Sequence, residues 1–188
     1  MSSLLHEWWV SPQEYLAGEE RAETKHEYVD GRVYAMAGAT NAHNVLASNV
    51  LIELGVQLRG KSCRPFNSDT RVRIPYLDGE RYYYPDVMVV CRENPREDVF
   101  QDEPAVIFEV LSPSTERLDR EGKRLAYCSL PSLHAYLMVE TEHFGLTVFR
   151  RTPAGWTTEF LRERQATLAL PEIGCSLLLT EIYRDTAL

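Results

Sequence analysis

Two periodicities alternate along the chain and outline its elements. From Asn41 to Leu58, apolar side chains at Val45, Leu46, Val50, Leu51, Leu54 and Leu58 recur at helical spacing and predict the best-defined helix. Arg71-Val72-Arg73-Ile74 alternates polar and apolar, as a strand with one wet face does. Tyr82 to Val90 and Ala105 to Leu111 are apolar almost without interruption, the pattern of strands covered on both sides. Leu133 to Glu140 and Gly145 to Arg150 predict an antiparallel pair, Trp156 to Leu161 one more strand, and Leu177 to Tyr183 a short closing helix.

Local signals set the boundaries. Ser11-Pro12-Gln13-Glu14 is a capping box with proline at the first helical position, so a short helix runs to about Ala17. Asp30-Gly31 between Glu27-Tyr28-Val29 and Arg32 to Met36 is a hairpin turn. Asp119 is the expected N-cap of a helix reaching Ser129. The order of elements predicts an α/β fold, a central mixed sheet flanked by helices. With no repeat, low-complexity tract or linker, residues 1–188 are expected to form one domain.

Composition narrows the function classes. The chain has 188 residues, 44% hydrophobic and 26% charged, in the ordinary globular range. No apolar run approaches the length of about eighteen residues that spans a bilayer, so a membrane partner is not expected. Met1 to Trp9 has no basic leader and carries His6 and Glu7, which makes the cytoplasm the expected location. Cys63, Cys91, Cys128 and Cys175 are scattered and read as free thiols, without a zinc site or a disulfide framework. A net charge of −8 weighs against a nucleic-acid partner, whose affinity comes largely from neutralised phosphates. Two basic groups weigh the other way: Arg59, Lys61, Arg64, Arg71 and Arg73, and Arg117, Arg120, Lys123 and Arg124. Either could equally be solvated surface.

Two acids in apolar strands carry the chemistry. Asp86 stands between Tyr82-Tyr83-Tyr84-Pro85 and Val87-Met88-Val89-Val90, and Glu109 within Ala105 to Leu111. A carboxylate so placed is costly without a partner. Each could pair with an arginine or cap a strand end; alternatively, the two share a divalent cation, since Mg²⁺ takes one or two carboxylates and keeps several waters. Lys123 and Tyr127 lie four apart on one helical face. Lys123 is either a solvated lysine or reaches back to stabilise charge at the metal site. Asp69, among Asn67, Ser68 and Thr70, reads as part of a turn rather than a ligand. Ser112 and Thr115 have no adjacent histidine or nucleophile elbow and read as turn and cap residues.

Pro85-Asp86, the string Glu109-Val110-Leu111-Ser112-Pro113-Ser114-Thr115 and the series Asp119, Lys123, Tyr127 closely resemble the Uma2 family of restriction-endonuclease-like proteins, similar in turn to the PD-(D/E)XK nuclease superfamily. The resemblance extends over nearly the whole chain, through Tyr15-Leu16, Glu27 to Gly31, His43 and Leu133 to Glu140. It implies a restriction-endonuclease-like fold, with Asp86 and Glu109 as ligands of Mg²⁺ or Mn²⁺. It further implies that Glu27 contributes to the metal site or holds the hairpin, and that His43 faces the same cleft as a phosphate or water contact. One position departs from the superfamily pattern: Leu111 stands where a lysine is wanted, two residues after the second acid, and Lys123 in the following helix takes its place.

The expected function is Mg²⁺-dependent hydrolysis of DNA phosphodiester bonds. The competing expectation is a nuclease-fold module for nucleic-acid binding or assembly with little or no catalysis, which the acidic charge and Leu111 favour. Hydrolysis of a nucleotide phosphate ester ranks below both for want of a Gly-rich loop. A homodimer is expected, because Trp8, Trp9, Tyr136, Phe144 and Phe149 offer aromatic surface and a two-fold assembly suits cleavage of both strands.

Overall fold

The structure, a computed structural model, describes residues 9–77, 79–92, 94–111 and 117–188, with backbone alone at 117–120. The chain opens with α1 (Pro12–Glu19), whose capping box forms as expected: Ser11 Oγ accepts from Glu14 N–H, and Glu14 Oε2 accepts from Ser11 N–H. The hairpin β1 (His26–Val29) and β2 (Arg32–Ala35) follows. Its turn has positive φ at both Asp30 and Gly31, and a Cβ at Gly31 would fall 2.1 Å from the Trp9 ring, so glycine is required there twice over. Next come α2 (Asn41–Gln57), β3 (Arg64–Asn67), β4 (Arg71–Tyr76) and β5 (Gly79–Tyr83). The middle of the chain holds β6 (Val87–Val90), the short β7 (Phe100–Gln101), β8 (Pro104–Val110) and α3 (Arg117–Ser129). It closes with β9 (Ala135–Val139), β10 (Leu146–Thr152), β11 (Gly155–Leu161), β12 (Thr167–Leu170), a 3-10 turn at Pro171–Ile173, β13 (Cys175–Leu178) and α4 (Leu179–Ile182).

The α/β class is as expected. A six-stranded mixed sheet in the order β11-β10-β9-β8-β6-β3 has one parallel pair, β8 with β9. A five-stranded sheet in the order β2-β1-β5-β4-β7 accompanies it, and β12 pairs with β13 in a small third sheet. Side chains alternate across the six-stranded sheet. Val87, Val89, Val106, Phe108, Leu137 and Val148 pack with Leu46, Val50 and Leu54 of α2, with the β12–β13 hairpin and with α4. Met88, Ile107 and Tyr136 pack on the other side against Ala126 and Tyr127 of α3 and against Val72, Ile74 and Tyr83 of the five-stranded sheet. That second sheet is backed by α1 through Tyr15, Tyr28 and Tyr82.

Several expectations are corrected. The apolar run from Tyr82 to Val90 is not one strand: it breaks at Tyr84-Pro85-Asp86, and its halves join different sheets. Proline lacks the N–H that a continuous ladder needs. The helix expected to start after Asp119 begins at Arg117, so Asp119 lies within the first turn. Leu177 and Leu178 are strand, and only Leu179–Ile182 is helical. Cys63 and Cys91 are disulfide-bonded rather than free, while Cys128 and Cys175 are free thiols. The β3–β6 register, Arg64 opposite Val90, continues by one residue to bring these two cysteines face to face. Of the aromatic residues expected at a surface, Tyr136 is buried and Phe144 and Phe149 pack against the cores, whereas Trp9 is exposed. Trp8 and the Ser112–Thr115 turn lie outside the described residues. Among the described residues no helix is long and apolar enough to cross a membrane.

Candidate active site

Strand register creates the central pair of acids. In the antiparallel ladder of β6 with β8, Val87 lies opposite Phe108, and one step further sets Asp86 opposite Glu109. Directly opposed residues share a face, with Cβ atoms about 4.5–5.5 Å apart. Asp86, one residue ahead of β6, is fixed by its own carboxylate: Oδ2 accepts from the Val110 N–H at 2.7 Å and lies 3.3 Å from His43 Nε2. This side chain therefore supplies a ladder acceptor where the strand has not yet begun. His43 comes from the first turn of α2, so the helix predicted most clearly delivers one corner of the site. Burial opposes the His43 imidazolium, but the hydrogen bond and charge of Asp86 outweigh it and hold its pKa above the ordinary value.

Glu109 projects to the α3 side, where Tyr127 Oη donates to its Oε1 at 2.8 Å. Glu109 as a whole is half-buried, and its carboxyl is recessed deeply among protein atoms. That burial, reinforced by the charges of Asp86 and Glu27, pushes its pKa up to about 8 against the opposing pull of Lys123. Lys123, one turn before Tyr127, places its Nζ 2.7 Å from Glu27 Oε1 on β1 and 5.5 Å from the centre of the Tyr83 ring. Glu27 and Lys123 are both largely enclosed, with side chains 11% and 15% exposed. Their pair bridges α3 to the five-stranded sheet.

The five residues singled out from the sequence are thus neighbours in space. Asp86 faces Glu109, His43 bonds Asp86, Glu27 bonds Lys123, and the Glu109 carboxyl feels the charges of Lys123, Asp86 and Glu27. Tyr127, noted in the sequence for its spacing from Lys123 and as part of the Asp119, Lys123, Tyr127 series but given no role there, is a further member. Asp69 is elsewhere, paired with Lys25 and turned back on Asn67. Arg71 is buried, and Arg73 is bound to Asp102, so these two do not form an open basic surface.

The donors suit a small hard cation. Among the described residues, Asp86 Oδ1 and Glu109 Oε2 accept no hydrogen bond, and burial, with the charges of Asp86 and Glu27, disfavours the ionised form of Glu109. The described residues contain no group of three or more His, Cys, Asp or Glu side chains placed to hold a metal. An ion here would have two protein carboxylates and complete its shell with water, as Mg²⁺ does.

Residues 12–180 match the Uma2 family, described as "Putative restriction endonuclease". The chain is 36% identical over 179 residues to "Uncharacterized protein slr1290" of Synechocystis sp., covering 95% of this chain and 93% of that one. A second Synechocystis protein, "Uncharacterized protein sll1609", is 36% identical over 134 residues, 70% of this chain and 75% of its own length. In fold the chain resembles a "putative nuclease belonging to DUF820" from Anabaena variabilis, with a TM-score of 0.74 over 93% of this chain and 97% of that one, at 18% identity.

Proposed function

The chain belongs to the Uma2 family, and from that premise we propose that it hydrolyses DNA phosphodiester bonds with Mg²⁺ or Mn²⁺ held by Asp86 and Glu109. One observation carries this reading: two acids face each other across β6 and β8, each with an oxygen that accepts no hydrogen bond among the described residues, with Lys123 and Tyr127 of α3 beside them. A bound ion supplies Lewis acidity to the phosphodiester and to the attacking water. Asp86 and Glu109 would hold such an ion, while Val110 N–H, His43 and Tyr127 keep the two carboxylates in place. Lys123 acts as a fixed charge that stabilises the negative oxygens of the phosphoryl group in the transition state. Glu27 aims that ammonium, and in this reading Lys123 does from α3 what the superfamily lysine would do at the position of Leu111.

The test is cleavage of plasmid and single-stranded DNA by purified protein with Mg²⁺, Mn²⁺ or a chelator. Asp86→Asn retains an acceptor for Val110 N–H and should abolish the divalent-dependent cleavage. Equal cleavage by wild type and variant would overturn the assignment.

A second reading, a binding or assembly module with little turnover, is favoured by how the cations are engaged. Lys123 is paired with Glu27, Arg73 with Asp102 and Arg81 with Asp30. Calorimetric titration with Mg²⁺ and Mn²⁺ in the presence of DNA separates the two readings. Absence of divalent binding there leaves hydrolysis without a mechanism and supports the module.

A further inference from the structure

We infer that Tyr34 is a base-stacking platform at the rim of this site and that the strand it receives is single-stranded DNA. This deepens the nuclease reading and rests on it for the identity of the reacting group. The placement follows from the register. Tyr34 on β2 is directly opposite Glu27, and Arg32 is opposite Val29. Opposed residues share a face. That face is the α3 side, because Glu27 bonds Lys123 and Val29 packs against the core to which Ala126 and Tyr127 of α3 belong. Tyr34 therefore stands one strand outward from the Glu27–Lys123 pair. β2 is the outer edge of its sheet, and all four of its residues are exposed. Tyr34 is 48% exposed and makes no hydrogen bond or ring contact with a described residue. Arg32, two residues or about 6.5 Å along the strand, has no carboxylate partner among the described residues and can meet a phosphate.

Charge decides which form of DNA fits. Duplex binding draws most of its affinity from many neutralised phosphates. This chain carries −8, and Lys123, Arg73, Arg81 and Lys25 are each engaged by a carboxylate. Stacking on an aromatic ring adds affinity without needing positive charge and tolerates any base. Bases in a duplex are already stacked on one another, whereas those of a single strand are available to Tyr34. A base seated there brings its neighbouring phosphate toward the ammonium of Lys123.

The experiment is fluorescence anisotropy of the full chain, free of divalent ions, with a fluorescein-labelled mixed-sequence single strand of about 15 nucleotides. The corresponding duplex and an RNA of the same sequence are run beside it. Tyr34→Ala should weaken single-strand binding about 5- to 150-fold, the range expected for one stacked base. Tyr34→Phe should stay within about twofold of wild type, and duplex binding should barely change. Single-strand affinity unchanged in Tyr34→Ala, an equal loss for duplex and single strand, or tighter binding of the RNA would each overturn the inference. So would loss of self-association in Tyr34→Ala by light scattering with DNA affinity intact, which would make β2 a contact between copies. Failure of the nuclease reading looks different: Tyr34-dependent binding persists, but no divalent ion produces cleavage.

Discussion

On one side of the six-stranded sheet, Val87, Val89, Val106, Phe108, Leu137 and Val148 meet α2 and the β12–β13 hairpin in a largely apolar layer. On the other side, the alternate positions Met88, Ile107 and Tyr136 share their layer with Glu109, Tyr127 and Tyr83. The strands are the same, and only their covering differs. The second side is roofed jointly by α3 and the five-stranded sheet, and the Lys123–Glu27 pair bridges those two elements. Polar chemistry thus gathers where two covers meet, joined from the first side by His43 of α2, and the largely apolar packing of that first side supplies the rigidity that holds the acids in register.

Substitutions on the two sides should separate rate from stability. Glu109→Gln should lower divalent-dependent cleavage on the order of 10²–10³-fold while the protein remains folded, as single-turnover assays and circular dichroism would record. Leu137→Ala, on the largely apolar side, should cost about 2–5 kcal/mol in urea unfolding and leave divalent affinity unchanged where the protein is folded. A shift in metal affinity from Leu137→Ala would mean that the two sides are not independent. Arg151 tests the roof. Its guanidinium donates to the carbonyls of Cys128 and Leu130 at the end of α3 and of Leu133 ahead of β9. Arg151→Ala should cost about 1.5–3 kcal/mol and also slow cleavage, since α3 carries Lys123 and Tyr127.

The pH response of the metal-free protein is the finest test. Glu109 is held above its unfolded value, up to about 8, by burial and by Asp86 and Glu27, so the folded state binds the extra proton between about pH 4.5 and 8. Its contribution to stability is therefore complete at low pH and declines as pH rises through that window, by at most about 1.4 kcal/mol per pH unit. Glu109→Gln should flatten the decline in urea titrations, and added Mg²⁺ should do the same for wild type. An unchanged slope in Glu109→Gln would assign the effect to another group.

Much of the site could be read from the chain because it consists of violations. Asp86 and Glu109 are acids where strands want carbon, and the string from Glu109 to Thr115 gave them a family. Their partners were less visible, since Glu27 and Lys123 are 96 positions apart and only the packing of α3 on β1 joins them. Tyr127 carried two usable signals, its spacing from Lys123 and its place in the Asp119, Lys123, Tyr127 series, but a tyrosine on an apolar helix face is ordinary core until Glu109 is placed beneath it. The split between β5 and β6 was masked because both halves are buried, so hydrophobicity runs through the break; Pro85 was the mark to follow. Cys63 and Cys91 fell outside any spacing rule because strand pairing, not sequence distance, brings them together.

That crosslink also changes what the polypeptide is topologically. Cys63 and Cys91 close the chain into a ring that contains β3, β4, β5 and β6, and so belongs to both large sheets. Leu77, 89% exposed between β4 and β5, lies within the ring. A protease that cuts there would yield a nicked protein still migrating as one covalent species, separating into two fragments only after a reductant opens the ring.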